Sequence, residues 1–227
     1  MNRTPVSSIP SLPDSLQDFV RNGILFDSSC SEDARVWLSR QDGDLYIKTA
    51  AGGTLRRESE MNDFFHSLGL GPEVLAYLPG AQDWLVTRAI PGEDCLYAPY
   101  LEDPGRLSAL LGELLRQLHE TDPTGCPVTD LNSSLYPSHP GLLTSRVLCH
   151  GDYCLPNVML HNWQFSGYID VGQGGIGDRH IDLYWGCWSL LYNLKEEKWC
   201  SRFLDAYGRE DVTPDKLAII DSLESHR

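Results

Sequence analysis

Two short stretches hold the residues best suited to chemistry: His150-Gly151-Asp152-Tyr153-Cys154-Leu155-Pro156-Asn157, and, beyond a stretch patterned as a hairpin, Ile169-Asp170-Val171-Gly172. Phosphoryl transfer asks of a protein mainly positioning and charge neutralisation, so it needs a carboxylate beside the attacking hydroxyl and oxygen ligands for a metal beside the phosphates. Asp152 is the candidate for the first task, accepting the hydroxyl proton or orienting that hydroxyl. Asn157 and Asp170 are the candidates for the second. Mg2+ prefers oxygen ligands and keeps several waters, so one carboxylate and one amide oxygen suffice when phosphate oxygens fill other positions. Taken singly, an Asp or Asn at a strand end is a turn former; the order and spacing of the three carry the reading. His150 reads as structural, bonding to the loop backbone. In Gly177-Asp178-Arg179-His180-Ile181-Asp182, one aspartate is placed to cap the following helix and the other to brace the loop of Asp152. The segment lacks the repeated histidines of a two-metal hydrolytic centre.

The elements that must position these residues follow from periodicity. Arg35–Arg40 and Asp44–Thr49 flank Gln41-Asp42-Gly43, a hairpin signal. Leu55–Leu68 reads as a helix with an apolar stripe of Met61, Phe64, Phe65 and Leu68, and Glu73–Leu78 and Trp84–Ile90 read as two further strands. The texture changes after Pro91-Gly92. Leu107, Leu110, Leu111, Leu114, Leu115 and Leu118 fall at helical spacing behind Asp103-Pro104, a cap followed by proline at the first helical position. Thr121–Arg146 is rich in Pro, Ser, Thr and Gly and reads as a long connection. Short strands are expected at 147–149, 158–160 and 166–169, and helices at 182–194, 196–207 and 214–225. The pattern predicts an α+β protein with an N-terminal sheet lobe over 1–90 and a mainly helical lobe over 91–227.

The chain has 227 residues, 41% of them hydrophobic, with 18 Lys plus Arg against 32 Asp plus Glu and a net charge of −14. Such acidity argues against a polyanionic partner such as nucleic acid and suits a cationic substrate. Seven cysteines form no C-x-x-C pair and no regular framework, so they are expected to be reduced, cytosolic thiols. The first thirteen residues lack the pattern of a secretory leader, and no apolar run approaches bilayer length, so no membrane association is expected.

Asp152, Asn157 and Asp170 match the spacing of the kinase catalytic loop and metal aspartate, and the chain as a whole resembles the aminoglycoside phosphotransferase family, especially its 3′-phosphotransferase branch. The resemblance implies a bilobal protein-kinase-like fold, ATP or GTP as phosphate donor, Mg2+, and a small cationic hydroxylated acceptor. Leu45-Tyr46-Ile47-Lys48 is similar to the strand bearing the phosphate-binding lysine, and Arg57-Glu58-Ser59 to the helix bearing its glutamate partner. Lys48 and Glu58 should therefore form an ion pair, and Tyr46 should stack on the base. Ser31, in Cys30–Val36, stands where the family covers the nucleotide phosphates, and Arg88 and Ile90 stand where it offers backbone bonds to the base. Asp221 and Glu224 stand where it brings C-terminal carboxylates to the substrate. The segment from Leu114 to Cys126-Pro127 matches an architectural helix and connection. Three departures concern the acceptor: the connection between Pro127 and Val147 is short, Tyr192 replaces an acidic residue, and Gln173 replaces an arginine. The expected activity is thus phosphorylation of an aminoglycoside hydroxyl in the cytoplasm, associated with antibiotic resistance. A kinase of another hydroxylated amine or sugar, or a nucleotide-binding module without transfer, are the alternatives.

Overall fold

Alternation governs the first part of the chain. The computed structural model describes residues 3–136 and 144–225, and its fold divides into two units, Met1–Ile90 and Pro91–Arg227. The first unit holds β1 (Thr4–Val6), β2 (Ile24–Asp27), β3 (Ala34–Arg40), β4 (Leu45–Ala51), α1 (Arg56–Ser67), β5 (Val74–Leu78) and β6 (Gln82–Arg88). The six strands make one sheet in the order β1-β2-β3-β4-β6-β5, antiparallel throughout. In β4, Leu45, Ile47 and Thr49 are buried while Tyr46 and Lys48 are half-buried, as a two-residue period requires. The buried face packs Leu45, Ile47, Trp37, Trp84 and Val86 against Ile9, Leu12 and Leu16 of the N-terminal segment. Tyr46 and Lys48 lie on the other face, level with Leu38 and Val36 of β3.

The expected hairpin, helix and two strands are present. The sheet also gains β1 and β2, which carry no strong alternation, and β1 contains Pro5, a residue confined to sheet edges because it lacks an amide donor. Buried Asp83 on β6 fastens the start of α1: its Oδ2 accepts the Leu55 N–H at 3.1 Å and the Tyr77 hydroxyl at 3.1 Å.

The second unit contains β7 (Glu93–Asp94), α2 (Ala98–Leu101), α3 (Pro104–Glu120), α4 (Leu131–Leu135), β8 (Val147–Cys149), β9 (Val158–His161), β10 (Gln164–Tyr168), β11 (Gly175–Gly177), α5 (His180–Leu194), α6 (Glu197–Tyr207) and α7 (Pro214–Glu224). Asp103 caps α3 as expected, accepting the Arg106 N–H at 3.2 Å, and the leucine stripe is buried at Leu107, Leu111, Leu114, Leu115 and Leu118. Close approach of α3, α5 and α6 centres on Phe203, which is 0% exposed. A Cβ on Gly112 would lie 2.3 Å from the Phe203 carbonyl oxygen, and one on Gly186 would lie 2.7 Å from its ring, so neither helix could approach α6 this closely with a side chain there.

Three expectations are corrected. The connection over 121–146 is not structureless: Asp130 caps α4 by accepting the Ser133 N–H at 3.1 Å, whereas residues 137–143 lie outside the described part. β11 was not expected, because Gly175-Ile176-Gly177 has poor strand propensity and is held by pairing with β8. The seven cysteines are not all reduced. Cys187 on α5 and Cys200 on α6 form a disulfide, leaving Cys30, Cys95, Cys126, Cys149 and Cys154 free. Their pairing follows from the α5–α6 turn, whose left-handed residue is Lys195, and no spacing rule reveals it.

Because the buried Phe203 ring packs against α5 at Gly186 and stacks on Tyr153, Phe203→Ala is expected to cost about 3–5 kcal/mol of stability, measurable as a fall in urea midpoint.

Candidate active site

In the second unit, the loop after β8 and the turn after β10 are tied together by main-chain atoms. His150 Nδ1 accepts the Asp152 N–H at 3.2 Å, so Nε2 carries the ring proton and donates it to the Ile169 carbonyl at 3.0 Å. The Ile169 N–H donates to the Asn157 carbonyl at 3.0 Å. Gly151 adopts φ +84°, and a Cβ on it would fall 2.0 Å from the Gln173 carbonyl oxygen, so only glycine permits this backbone crossing. Asp152, Asn157 and Asp170 are thereby gathered by the two loops, and His150 has the structural role expected of it.

Asn157 Nδ2 donates to the Asp152 carbonyl and to Asp152 Oδ2, each at 2.9 Å. The amide nitrogen thus fixes the half-buried Asp152 carboxylate, and the amide oxygen is the end turned to other partners. Asp170 has φ 55° and ψ 40°, the left-handed region, which Asp tolerates better than most residues. That turn ends β10 and leaves the Asp170 carboxylate exposed. An amide oxygen and an exposed carboxylate on adjoining loops form the hard-oxygen set that suits Mg2+.

Behind the loop stands Asp182, 0% exposed. Its Oδ2 accepts the His150 N–H at 2.7 Å and its Oδ1 the Gly151 N–H at 2.8 Å. Oδ2 also receives His119 Nε2–H at 3.1 Å, and His119 Nδ1 in turn accepts the Tyr207 hydroxyl at 2.8 Å. Burial holds His119 below its usual range, against the pull of Asp182, so the ring is neutral. His119, Cys149 and Asp182 offer ligand atoms within 4.8 Å of one another. They form a hydrogen-bonded node instead of a metal centre: both His119 nitrogens and both Asp182 oxygens are engaged, and burial pushes the Cys149 thiol up. Asp178 caps α5 by accepting the His180 N–H at 3.0 Å, and it collects the Thr144 and Ser145 N–H groups and Lys216. The two aspartates thus divide as expected, Asp182 bracing and Asp178 capping. His119 and Tyr207 were missed, because no local signal links α3 and α6 to the loop.

In the first unit, Lys48 Nζ meets Glu58 Oε1 at 2.9 Å and Oε2 at 2.8 Å, the expected ion pair. Tyr46 shares the sheet face of Lys48, and its hydroxyl accepts from Arg3 at 3.1 Å. Ser31 is exposed in the connection between β2 and β3. That connection is organised by its neighbours: the Ser29 N–H donates to Asp27 Oδ1 at 2.9 Å, the Val36 N–H to Ser29 Oγ at 3.0 Å, and Arg35 to Asp27 Oδ2 at 2.6 Å. Arg88 is engaged within the unit, its N–H donating to the Glu73 carbonyl at 2.9 Å and its side chain pairing with Glu73 Oε2 at 2.8 Å. The Ala89 N–H is likewise taken by the Asp44 carbonyl at 2.8 Å. Glu224 Oε1 accepts the Tyr136 hydroxyl at 2.6 Å, and Asp221 is hydrogen-bonded to Tyr184, which brings these two carboxylates of α7 beside aromatic rings.

Asp182→Asn replaces one acceptor oxygen by an NH2 group facing N–H donors, and is expected to cost about 1–3 kcal/mol per donor left unpaired, read from urea denaturation. Burial would raise the Asp178 carboxyl, yet the bonds from His180, Lys216 and Ser145 outweigh it and hold it well below the usual carboxylate range. A depressed carboxyl stabilises the fold above its unfolded value, 3.8, and that contribution drains away as pH falls further. Stability should therefore fall steeply with acid below about pH 4, and Asp178→Asn should flatten that slope in urea titrations at stepped pH.

The family model described as "Phosphotransferase enzyme family" matches residues 24–139 and 135–220. A protein of Lactococcus lactis subsp. lactis (strain IL1403) named probable aminoglycoside 3′-phosphotransferase is 36% identical over 251 residues, spanning 96% of this chain and 95% of that protein. The streptomycin 3″-kinase of Streptomyces griseus is 31% identical over 64% of this chain and 68% of its own length. Among solved structures, an aminoglycoside-3′-phosphotransferase of type VIII superposes with a TM-score of 0.73 at 26% identity, covering 87% of this chain and 90% of that one. With a matching model over most of its length and a relative this similar end to end, the chain belongs to the phosphotransferase enzyme family.

Proposed function

We propose that this protein transfers the γ-phosphate of ATP to a hydroxyl group of an aminoglycoside. The observation that carries the reading is the gathering of Asp152, Asn157 and Asp170 by loops locked to each other through His150, Ile169 and Gly151. Relatives named aminoglycoside 3′-phosphotransferase and streptomycin 3″-kinase supply the acceptor class and the donor chemistry. Residues 1–90 act as the nucleotide-binding lobe and 91–227 as the catalytic and acceptor-binding lobe.

Asp152 accepts the acceptor's hydroxyl proton, or orients that hydroxyl at the phosphorus, with Asn157 Nδ2 holding its carboxylate still. Asn157 and Asp170 would hold Mg2+, which would neutralise charge on the phosphate oxygens. Lys48, steadied by Glu58, presents a point charge to the α- and β-phosphates. Tyr46 lies against the base, Ser31 near the phosphates, and the Arg88 and Ile90 backbone at the base edge; GTP is the alternative donor. Asp221 and Glu224 take ammonium groups of the acceptor, and the charge of −14 draws such cations in. The reaction is assigned to the cytoplasm; among the described residues no helix is long and apolar enough to cross a membrane.

A coupled assay of nucleotide consumption across an aminoglycoside panel tests the proposal. Wild type should turn over kanamycin-like acceptors only with Mg2+; Asp152→Ala should lose about 10²–10⁴ in kcat with folding intact, and Asp170→Ala should remove the response to added Mg2+. Wild-type turnover of amino alcohols or sugars, with none on any aminoglycoside, would overturn the acceptor assignment. Nucleotide binding without transfer to any acceptor would overturn the catalytic one.

A further inference from the structure

The connection from β2 to β3 is closed by side chains. Its residues, Ser28-Ser29-Cys30-Ser31-Glu32-Asp33, include no glycine. In an antiparallel pair a hydrogen-bonded residue both donates to and accepts from its partner's main chain. The Ser28 N–H donates to the Val36 carbonyl at 2.8 Å, while the Val36 N–H donates to Ser29 Oγ at 3.0 Å, so a side-chain hydroxyl takes a bond that a ladder gives to a carbonyl. The same oxygen accepts Arg35 Nε–H at 3.2 Å. Arg35 reaches on to Asp27 Oδ2 at 2.6 Å, and Asp27 Oδ1 accepts the Ser29 N–H at 2.9 Å, which closes a ring of bonds through Asp27, Ser29 and Arg35. The bonds from Ser29, then that from Arg35, hold the Asp27 carboxyl below its usual range, so its charge is present at neutral pH.

Register fixes the side of the sheet on which this clamp stands. Val36 lies opposite Lys48 of β4, and Asp27 lies opposite Trp37. Because successive side chains alternate, Arg35 shares the face of Trp37, and its guanidinium carbon sits 5.7 Å from that ring's centroid. Asp27 turns the same way, and Lys48 and Tyr46 lie on the other face. Asp27 and Arg35 therefore point away from the face of the phosphate-binding lysine. What the clamp passes to that face is the position of the Val36 backbone, one strand from Lys48, and of the loop that runs into it. Groups that hold a loop without facing the ligand act by preorganisation, removing conformations that would otherwise be lost on binding.

We propose that Asp27, Ser29 and Arg35 are positioning residues of the nucleotide site, a clamp that sets the 28–33 loop in its phosphate-covering conformation before the nucleotide arrives. This inference deepens the nucleotide-binding reading of residues 1–90 and rests on it.

The test uses the full chain, as wild type and as Ser29→Ala, Ser29→Thr, Asp27→Asn, Arg35→Met and the combined Asp27→Asn and Arg35→Met variant. Each is titrated calorimetrically with a non-hydrolysable ATP analogue and Mg2+, and its urea midpoint is recorded. Ser29→Ala, Asp27→Asn and Arg35→Met should each weaken the analogue's Kd about three- to tenfold, and Ser29→Thr should recover most of the loss. The combined variant should lose no more than the weaker-binding single one, since both substitutions break the same clamp. In steady-state assays with kanamycin A the loss should appear in KM for ATP, with kcat retained. Unchanged Kd in all three single variants, or a lowered urea midpoint with Kd unaltered, would overturn the clamp and leave nucleotide binding standing. Tighter Kd in Asp27→Asn with weaker Kd in Arg35→Met would show a released guanidinium reaching phosphate itself, and would also overturn it. Wild type with no affinity for the analogue would instead remove the nucleotide-binding reading, and this inference with it.

Discussion

A carboxylate with no exposed surface is costly unless every lone pair finds a donor. Asp182 meets that demand from three directions: two backbone amides of the loop that precedes Asp152, and a histidine ring from α3. The histidine is itself presented in one tautomer by a tyrosine at the end of α6. Three helices and one loop therefore share a single electrostatic constraint, and displacement of any of them strands a buried polar group. The same loop then passes its geometry forward through His150 to the turn that bears Asp170. Order in the catalytic region is thus inherited from the interior of the helical unit.

The first unit works on a similar plan at smaller scale. Asp83 collects the amide that opens α1, so the helix begins at a defined place on the sheet. From that start Glu58 falls within reach of Lys48, one strand over. The ion pair follows from where the helix begins, and on the opposite sheet face Leu45 and Ile47 of the strand carrying Lys48 pack with Ile9, Leu12 and Leu16.

What could be read in the sequence was whatever is encoded locally. The hairpin around Gly43, the leucine stripe of α3 with its Asp103 cap, and the Asp152–Asn157–Asp170 series each rest on residues near one another in the chain, or on a spacing that chemistry restricts. Contacts at long separation were not readable: Cys187 with Cys200, His119 with Asp182, and Tyr207 with His119 depend on how α3, α5 and α6 pack. β1, with Pro5, and β11, with two glycines, have poor intrinsic strand propensity and exist because a partner strand supplies the other half of the ladder.

The loops of Asp152 and Asp170 are tied to each other through main-chain atoms, a histidine ring and a glycine crossing, and Asn157 adds a side-chain link to Asp152. A version of the protein altered only at the Asp152 carboxylate would keep that main-chain frame, making it a natural starting point for capturing a pre-reaction complex in a crystal.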